Sequence, residues 1–116
     1  MPQLINYGNE LIRINVSNNK IEYSTNRGLS WITRYSGSSC GRFIDLLPYN
    51  GKIITCTDKG VYYSSNKGLS WISRNQSSQA KTFVAIQDAG RELIAQTNDG
   101  HIYYSTNEGL SWIRRR

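Results

Sequence analysis

At 116 residues the chain has room for about one domain with one modest core, which excludes a separate catalytic domain beside it. Helix formers are sparse while Tyr, Ile, Ser, Thr, Asn and Gly dominate, the composition of short strands joined by tight turns. The net charge of +6 and a pI near 9.6 keep an anionic partner in view, although charge of that size also serves solubility.

The beginning, Met1-Pro2-Gln3-Leu4-Ile5-Asn6, lacks the basic and long apolar regions of a signal peptide. No apolar run approaches the roughly 18 residues that span a bilayer. Four short strands, A to D, are then predicted in a first unit over about 3–35. They are Gln3–Asn6, the doublet run Glu10–Arg13, Ile21–Ser24 after an Asn18-Asn19 turn, and a last strand from Leu29 to Arg34. A second unit over about 42–75 repeats the order with Phe43–Leu47, Lys52–Thr55, an Asp58–Gly60 turn, Val61–Ser64 and a final strand. The third, over about 82–115, offers Thr82–Ile86, Glu92–Ala95, an Asn98–Gly100 turn, Ile102–Ser105 and Leu110–Arg115. Together they make one repeat domain, 1–116, with a C-terminal Arg114-Arg115-Arg116 run of the kind that frays. Cys40 and Cys56 have unlike surroundings and no CxxC spacing, so they read as free thiols in a reducing compartment. A soluble cytoplasmic protein is the expectation.

Between strands C and D one phrase returns three times: Ser24-Thr25-Asn26-Arg27-Gly28-Leu29-Ser30-Trp31, Ser64-Ser65-Asn66-Lys67-Gly68-Leu69-Ser70-Trp71 and Ser105-Thr106-Asn107-Glu108-Gly109-Leu110-Ser111-Trp112. The tryptophans recur at intervals of 40 and 41 residues, so one supersecondary unit is used three times. Asn26, Asn66 and Asn107, with Gly28, Gly68 and Gly109, fit a tight hairpin in which Asn or Gly takes positive φ and the Ser and Asn side chains bond nearby amides. Trp31, Trp71 and Trp112 are expected to pack on the neighbouring unit. A chemical site is rarely needed in triplicate, whereas a packing device is.

The phrase resembles the Asp-box, or BNR repeat, of sialidases and many other β-propellers, with Asn at each position where that family usually has Asp. Amide and carboxylate both accept the turn hydrogen bonds. The resemblance implies an all-β fold of three four-stranded propeller blades. It also implies that Ser24, Asn26, Gly28, Trp31 and their counterparts Ser64, Asn66, Gly68, Trp71, Ser105, Asn107, Gly109 and Trp112 are structural, on the face opposite the ligand site. Three blades do not close a ring, since four to eight are typical, so closure by oligomerisation is expected, most simply as a six-bladed homodimer. The alternative is a monomeric β-trefoil.

Catalysis has little support in the sequence. His101 is the only histidine, no Gly-x-Ser-x-Gly elbow is present, and the four Asp and four Glu are scattered without a paired-acid motif. A sialidase would also need an arginine triad and the Phe-Arg-Ile-Pro-type motif, which Gly41-Arg42-Phe43-Ile44 does not supply. No catalytic residue, metal site or cofactor is predicted. Binding is better supported, because basic residues gather at the D–A connections and B–C turns, which share one rim of a propeller. Arg34, Arg74 and Arg115 each fall three residues after a tryptophan. With Arg42, Lys59, Lys81 and His101 they form a candidate cationic rim. Tyr35, Asn75 and Gln76 add an aromatic face and amides able to hold a sugar ring or nucleotide. Fold-level analogy favours a lectin-like glycan binder. A receptor for anionic small molecules, nucleotides or nucleic acid, and a purely structural interaction module, are the alternatives; no membrane partner is expected.

Overall fold

The computed structural model describes residues 4–116; Met1, Pro2 and Gln3, the last of which opens the first predicted strand, lie outside the described residues. The chain forms three separate four-stranded antiparallel sheets, each a meander in sequence order. Blade 1 comprises β1 (Leu4–Tyr7), β2 (Glu10–Asn15), β3 (Lys20–Ser24) and β4 (Ile32–Tyr35). Blade 2 comprises β5 (Phe43–Tyr49), β6 (Lys52–Thr57), β7 (Gly60–Ser64) and β8 (Ile72–Asn75). A single 3-10 turn, Ala80–Thr82, leads into blade 3: β9 (Phe83–Asp88), β10 (Leu93–Thr97), β11 (Ile102–Ser105) and β12 (Ile113–Arg114). Because every sheet is complete within its own repeat, the architecture is that of propeller blades and not of a trefoil, whose hairpins are shared around one barrel.

Side-chain alternation shows how the blades stack. Register equates Leu11, Ile53 and Leu93, each opposite the box serine Ser24, Ser64 or Ser105. In β2 the buried positions are Ile12 and Ile14; in β10 they are Leu93, Ala95 and Thr97, the opposite parity. Central β6 is buried on both faces from Ile53 through Thr57. This is what a sheet covered on two sides looks like between two sheets covered on one. One apolar cluster joins Ile12, Ile14 and Ile21 of blade 1 to Phe43, Leu46, Ile53 and Tyr62 of blade 2. A second joins Leu47, Ile54, Cys56 and Val61 of blade 2 to Phe83, Ile86 and Leu93 of blade 3.

The C–D hairpins are alike in all three blades. The Oγ of Ser24 donates to Asn26 Oδ1 at 2.8 Å and accepts the Gly28 N–H at 2.8 Å. Asn26 Oδ1 also accepts the Ser30 N–H at 3.0 Å, while its Nδ2 donates to Ser30 Oγ. Ser64–Ser70 and Ser105–Ser111 repeat this network. Positive φ falls on Gly28, Gly68 and Gly109 and on the residue before each, Arg27, Lys67 and Glu108, rather than on the asparagines. The asparagine side chains are needed as two-sided anchors, so the left-handed turn passes to the next residue.

The tryptophans are half-buried. Trp71 packs on Phe43 at 5.4 Å and Trp112 on Phe83 at 5.0 Å, each on a ring of its own blade within the cluster shared with the preceding one. Among the described residues no blade packs on the Trp31 face of blade 1, and Trp31 lies 4.1 Å beneath the Arg13 guanidinium.

Candidate rim site and blade seams

Antiparallel meanders put the A–B and C–D turns at one end of each blade and the B–C turns and D–A connections at the other. The second end is the rim on which the sequence gathers its cations. It is braced by polar side chains. Asn19, in the B–C turn of blade 1, donates to the Gly41 carbonyl and accepts the Phe43 N–H at 2.9 Å, clamping the connection into blade 2. Asp58 accepts the Arg42 N–H at 2.8 Å and its own N–H bonds back to the Arg42 carbonyl. A side chain on Gly41, φ +81°, would run into Asp58 and the Lys59 stem, so only glycine lets the connection lie this close. Arg42 and Lys59 are both exposed on the two segments that this approach ties together. Beside them is a cleft of about 160 Å³ lined by Val16, Arg42, Phe43 and Ile44, with Val16 65 % exposed.

The other predicted rim residues are placed differently. Arg34, Arg74 and Arg115 stack on Tyr23, Tyr63 and Tyr104 at 3.7, 3.9 and 4.1 Å. Arg34 makes a bidentate pair with Glu10 at 2.7 and 2.9 Å and donates to the Lys67 carbonyl of blade 2. Those two bonds, ahead of the charge itself, hold the Glu10 carboxyl below its ordinary range despite some desolvation. Arg115 pairs with Glu92 in the same way, at 2.6 and 3.1 Å, and lowers that carboxyl too. In blade 2 the glutamate position is Lys52, whose Nζ meets Glu108 of blade 3 at 3.2 Å. Glu108 also accepts from Asn50 at 2.6 Å and is held acidic first by that bond. These three arginines belong to the blade faces, each laid on a tyrosine of the neighbouring strand and two of them paired with a glutamate of the same blade.

Tyr35 sets its ring edge on Phe43 at 5.9 Å and its hydroxyl bonds Ser39. Asn75 donates to the Leu110 carbonyl of blade 3, and Gln76 donates to the Tyr62 hydroxyl at 3.0 Å. His101 sits between Asp99, 3.7 Å from Nε2, and Arg114, 3.1 Å from Nδ1. Lys81 is the middle residue of the 3-10 turn and is exposed. Of the ten predicted ligand residues, then, Arg42 and Lys59 lie on two rim segments that Asp58 and Gly41 tie together, with Lys81 on the next connection.

Sequence reasoning missed Asp45, which is fully buried in β5. Its Oδ2 accepts the Ile86 N–H of blade 3 at 3.0 Å and its Oδ1 the Leu46 N–H at 3.1 Å, stitching two innermost strands together. Burial pushes its pKa up to about 6 against the pull of those two N–H bonds. The only signal was an acid inside the apolar run Phe43-Ile44-Asp45-Leu46-Leu47. Cys56 and Cys40 are free and buried, and burial, the leading cause in both, raises each thiol above its ordinary value. Neither is poised for thiolate chemistry. No helix among the described residues is long and apolar enough to cross a membrane.

No family model matches the chain, and no curated protein matches it. Among solved structures it is similar to YCF48 bound to D1 peptide, at 18 % identity and TM-score 0.70 over 90 % of this chain and 36 % of that one. It is similar to an ancestral GH74 enzyme at 20 % identity and TM-score 0.72, over 96 % of this chain and 17 % of that one. PorZ, a surface component of the type-IX secretion system of Porphyromonas gingivalis, aligns at 12 % identity and TM-score 0.71, over 96 % of this chain and 15 % of that one. The chain thus spans about a third or less of these structures. The likeness establishes the fold: a set of β-propeller blades.

Proposed function

We propose that the chain is a non-enzymatic, lectin-like binding module. It takes a glycan through an anionic group, such as a sugar carboxylate, at the rim cleft between blades 1 and 2. The observation that carries this reading is the exposed Arg42, its backbone tied down by Asp58, at a cleft it lines with Val16, Phe43 and Ile44, with the exposed Lys59, its stem packed beside Gly41, on the turn. Apolar walls suit the carbon face of a ring, and the cations supply direction. The carboxylates that acid–base hydrolysis would need are engaged elsewhere: Glu10 and Glu92 by arginines, Asp45 by buried amides. One similar structure holds a peptide and another is a hydrolase, so the fold accommodates either use.

A second reading rests on the same two cations: the anion is a phosphate, and the protein sequesters nucleotides or contacts nucleic acid. A glycan array containing acidic sugars, run beside a thermal-shift screen of nucleoside triphosphates, separates the two. Acidic-glycan binding lost in Arg42→Ala and Lys59→Ala supports the first reading. Nucleotide-only binding that weakens steeply with salt supports the second. If neither class binds, the rim reading fails and the structural-module alternative takes its place.

A further inference from the structure

Among the described residues two blade faces have no blade packed on them: the face of blade 1 that carries Trp31 and the face of blade 3 that carries Tyr104. We propose that a second copy of this chain covers both, blade 3 of each docking on blade 1 of the other to close a six-bladed ring. The inference is independent of which ligand the rim takes.

The two internal seams define what a seam requires. In each, the C–D turn glycine of one blade abuts a β-branched side chain of the blade before: Gly68 against Ile21, and Gly109 against Val61. Gly28 meets only its own Trp31 and Leu11. The residue of blade 3 in the Ile21 and Val61 position is Ile102, which is free to meet it. Charge follows the same logic. At the first seam the acid Glu10 precedes the base Lys67 and is drawn toward lower pKa by it. At the second the order is reversed, with Lys52 before Glu108 at 3.2 Å. At the open ends the corresponding residues are Glu92 on blade 3 and Arg27 on blade 1, which restores an acid before a base.

Polarity in the middle of the faces also matches. The internal seams set Ile14 against the Tyr62 layer and Cys56 against the Tyr103 layer. On the open face of blade 1 the Tyr62 and Tyr103 position is Glu22, only 8 % exposed and bonded to Arg13 at 2.9 Å and to Asn15 at 3.3 Å. On the open face of blade 3 the Ile14 and Cys56 position is Gln96. A polar layer therefore meets a polar layer, where either internal partner would have buried a charge against carbon. One seam contact is not carried over. Tyr7 and Tyr49 donate to the Gly51 and Gly90 carbonyls of the following blade, and the matching position on blade 3 is Ala89. A depression of about 360 Å³ lined by Gly8, Asn9, Leu11, Ser24 and Arg27 lies at the equivalent A–B turn of blade 1. Two copies supply six blades, within the usual range of about four to eight, where three copies would supply nine.

Sedimentation velocity on the full chain should give a single species of twice the 13.2 kDa chain mass at tens of micromolar. Arg27→Glu and Glu92→Lys each place like charges across the closing seam and should raise the dimer dissociation constant at least roughly tenfold. The double variant installs the polarity that Lys52 and Glu108 already use and should restore affinity to within about threefold of the parent. Both side chains are at the surface, so circular dichroism of each single variant should match the parent. A monomeric parent, an oligomer of another size, or a dimer indifferent to the single reversals would each overturn the proposal.

Discussion

Arg74 and Arg42 carry the same guanidinium, and the molecule uses them in two different regions. Arg74 lies 3.9 Å over the Tyr63 ring at the seam of blades 2 and 3, its stem close to Gly109. Arg42 stands exposed on the rim, held only through its backbone by Asp58. At the seam the cation is a packing element, with an aromatic face beneath it and, for its counterparts Arg34 and Arg115, a carboxylate alongside. On the rim the Arg42 side chain has no such partner among the described residues and is exposed to solvent. The difference teaches that a net charge of +6 describes two populations. One is spent inside the fold.

The hardest break at a seam is the loss of its aromatic anchor. Phe83→Ala removes a fully buried ring packed on Trp112 and Tyr103, and should cost about 3–5 kcal/mol in urea unfolding. Rim substitutions should come nowhere near that value.

The seam is also where pH acts. Asp45 has a folded pKa of about 6, above its unfolded value near 3.9, so the folded state binds the proton more tightly. Its stabilising share is full below the unfolded pKa and is lost as pH rises through about 6, a change of up to about 3 kcal/mol. Glu10, Glu92 and Glu108 act in the opposite sense, because their lowered values make their share fade only as pH falls through the ordinary carboxylate range. Unfolding midpoints of the parent should therefore rise between pH 7 and pH 5, and Asp45→Asn should flatten that rise while losing one amide acceptor.

Ser64→Ala should cost about 1–3 kcal/mol, since the buried Gly68 N–H loses its acceptor and Asn66 loses a donor. The same change at Ser24, on the open side of blade 1, sharpens the comparison between covered and uncovered hairpins and should cost no more than Ser64→Ala.

Much of this architecture was legible beforehand, and the reason is local. Strand and turn identity sit in short-range signals, such as the Ser-x-Asn-x-Gly-x-Ser-Trp phrase and the alternation around Leu11-Ile12, Ile53-Ile54 and Leu93-Ile94. What a cation does is set by residues distant in sequence. Arg34 is neutralised by Glu10 across the sheet, and Arg115 by Glu92. A period-based reading found that the three arginines are equivalent but could not see the tyrosine beneath each. It placed on the rim what the fold keeps at the seams. Tyr35, Asn75 and Gln76 have partners that the repeat does not display: Ser39 on the same connection, the Leu110 carbonyl of blade 3 and the Tyr62 hydroxyl of the same blade.

The most direct test is a paired urea-unfolding measurement on Arg74→Ala and Arg42→Ala. The seam assignment predicts a loss of about 1–2 kcal/mol for Arg74→Ala, from the stacked cation and its packed stem, and a change within about 0.5 kcal/mol for Arg42→Ala. Equal losses, or a larger one for Arg42→Ala, would contradict the division of the molecule into seam and rim.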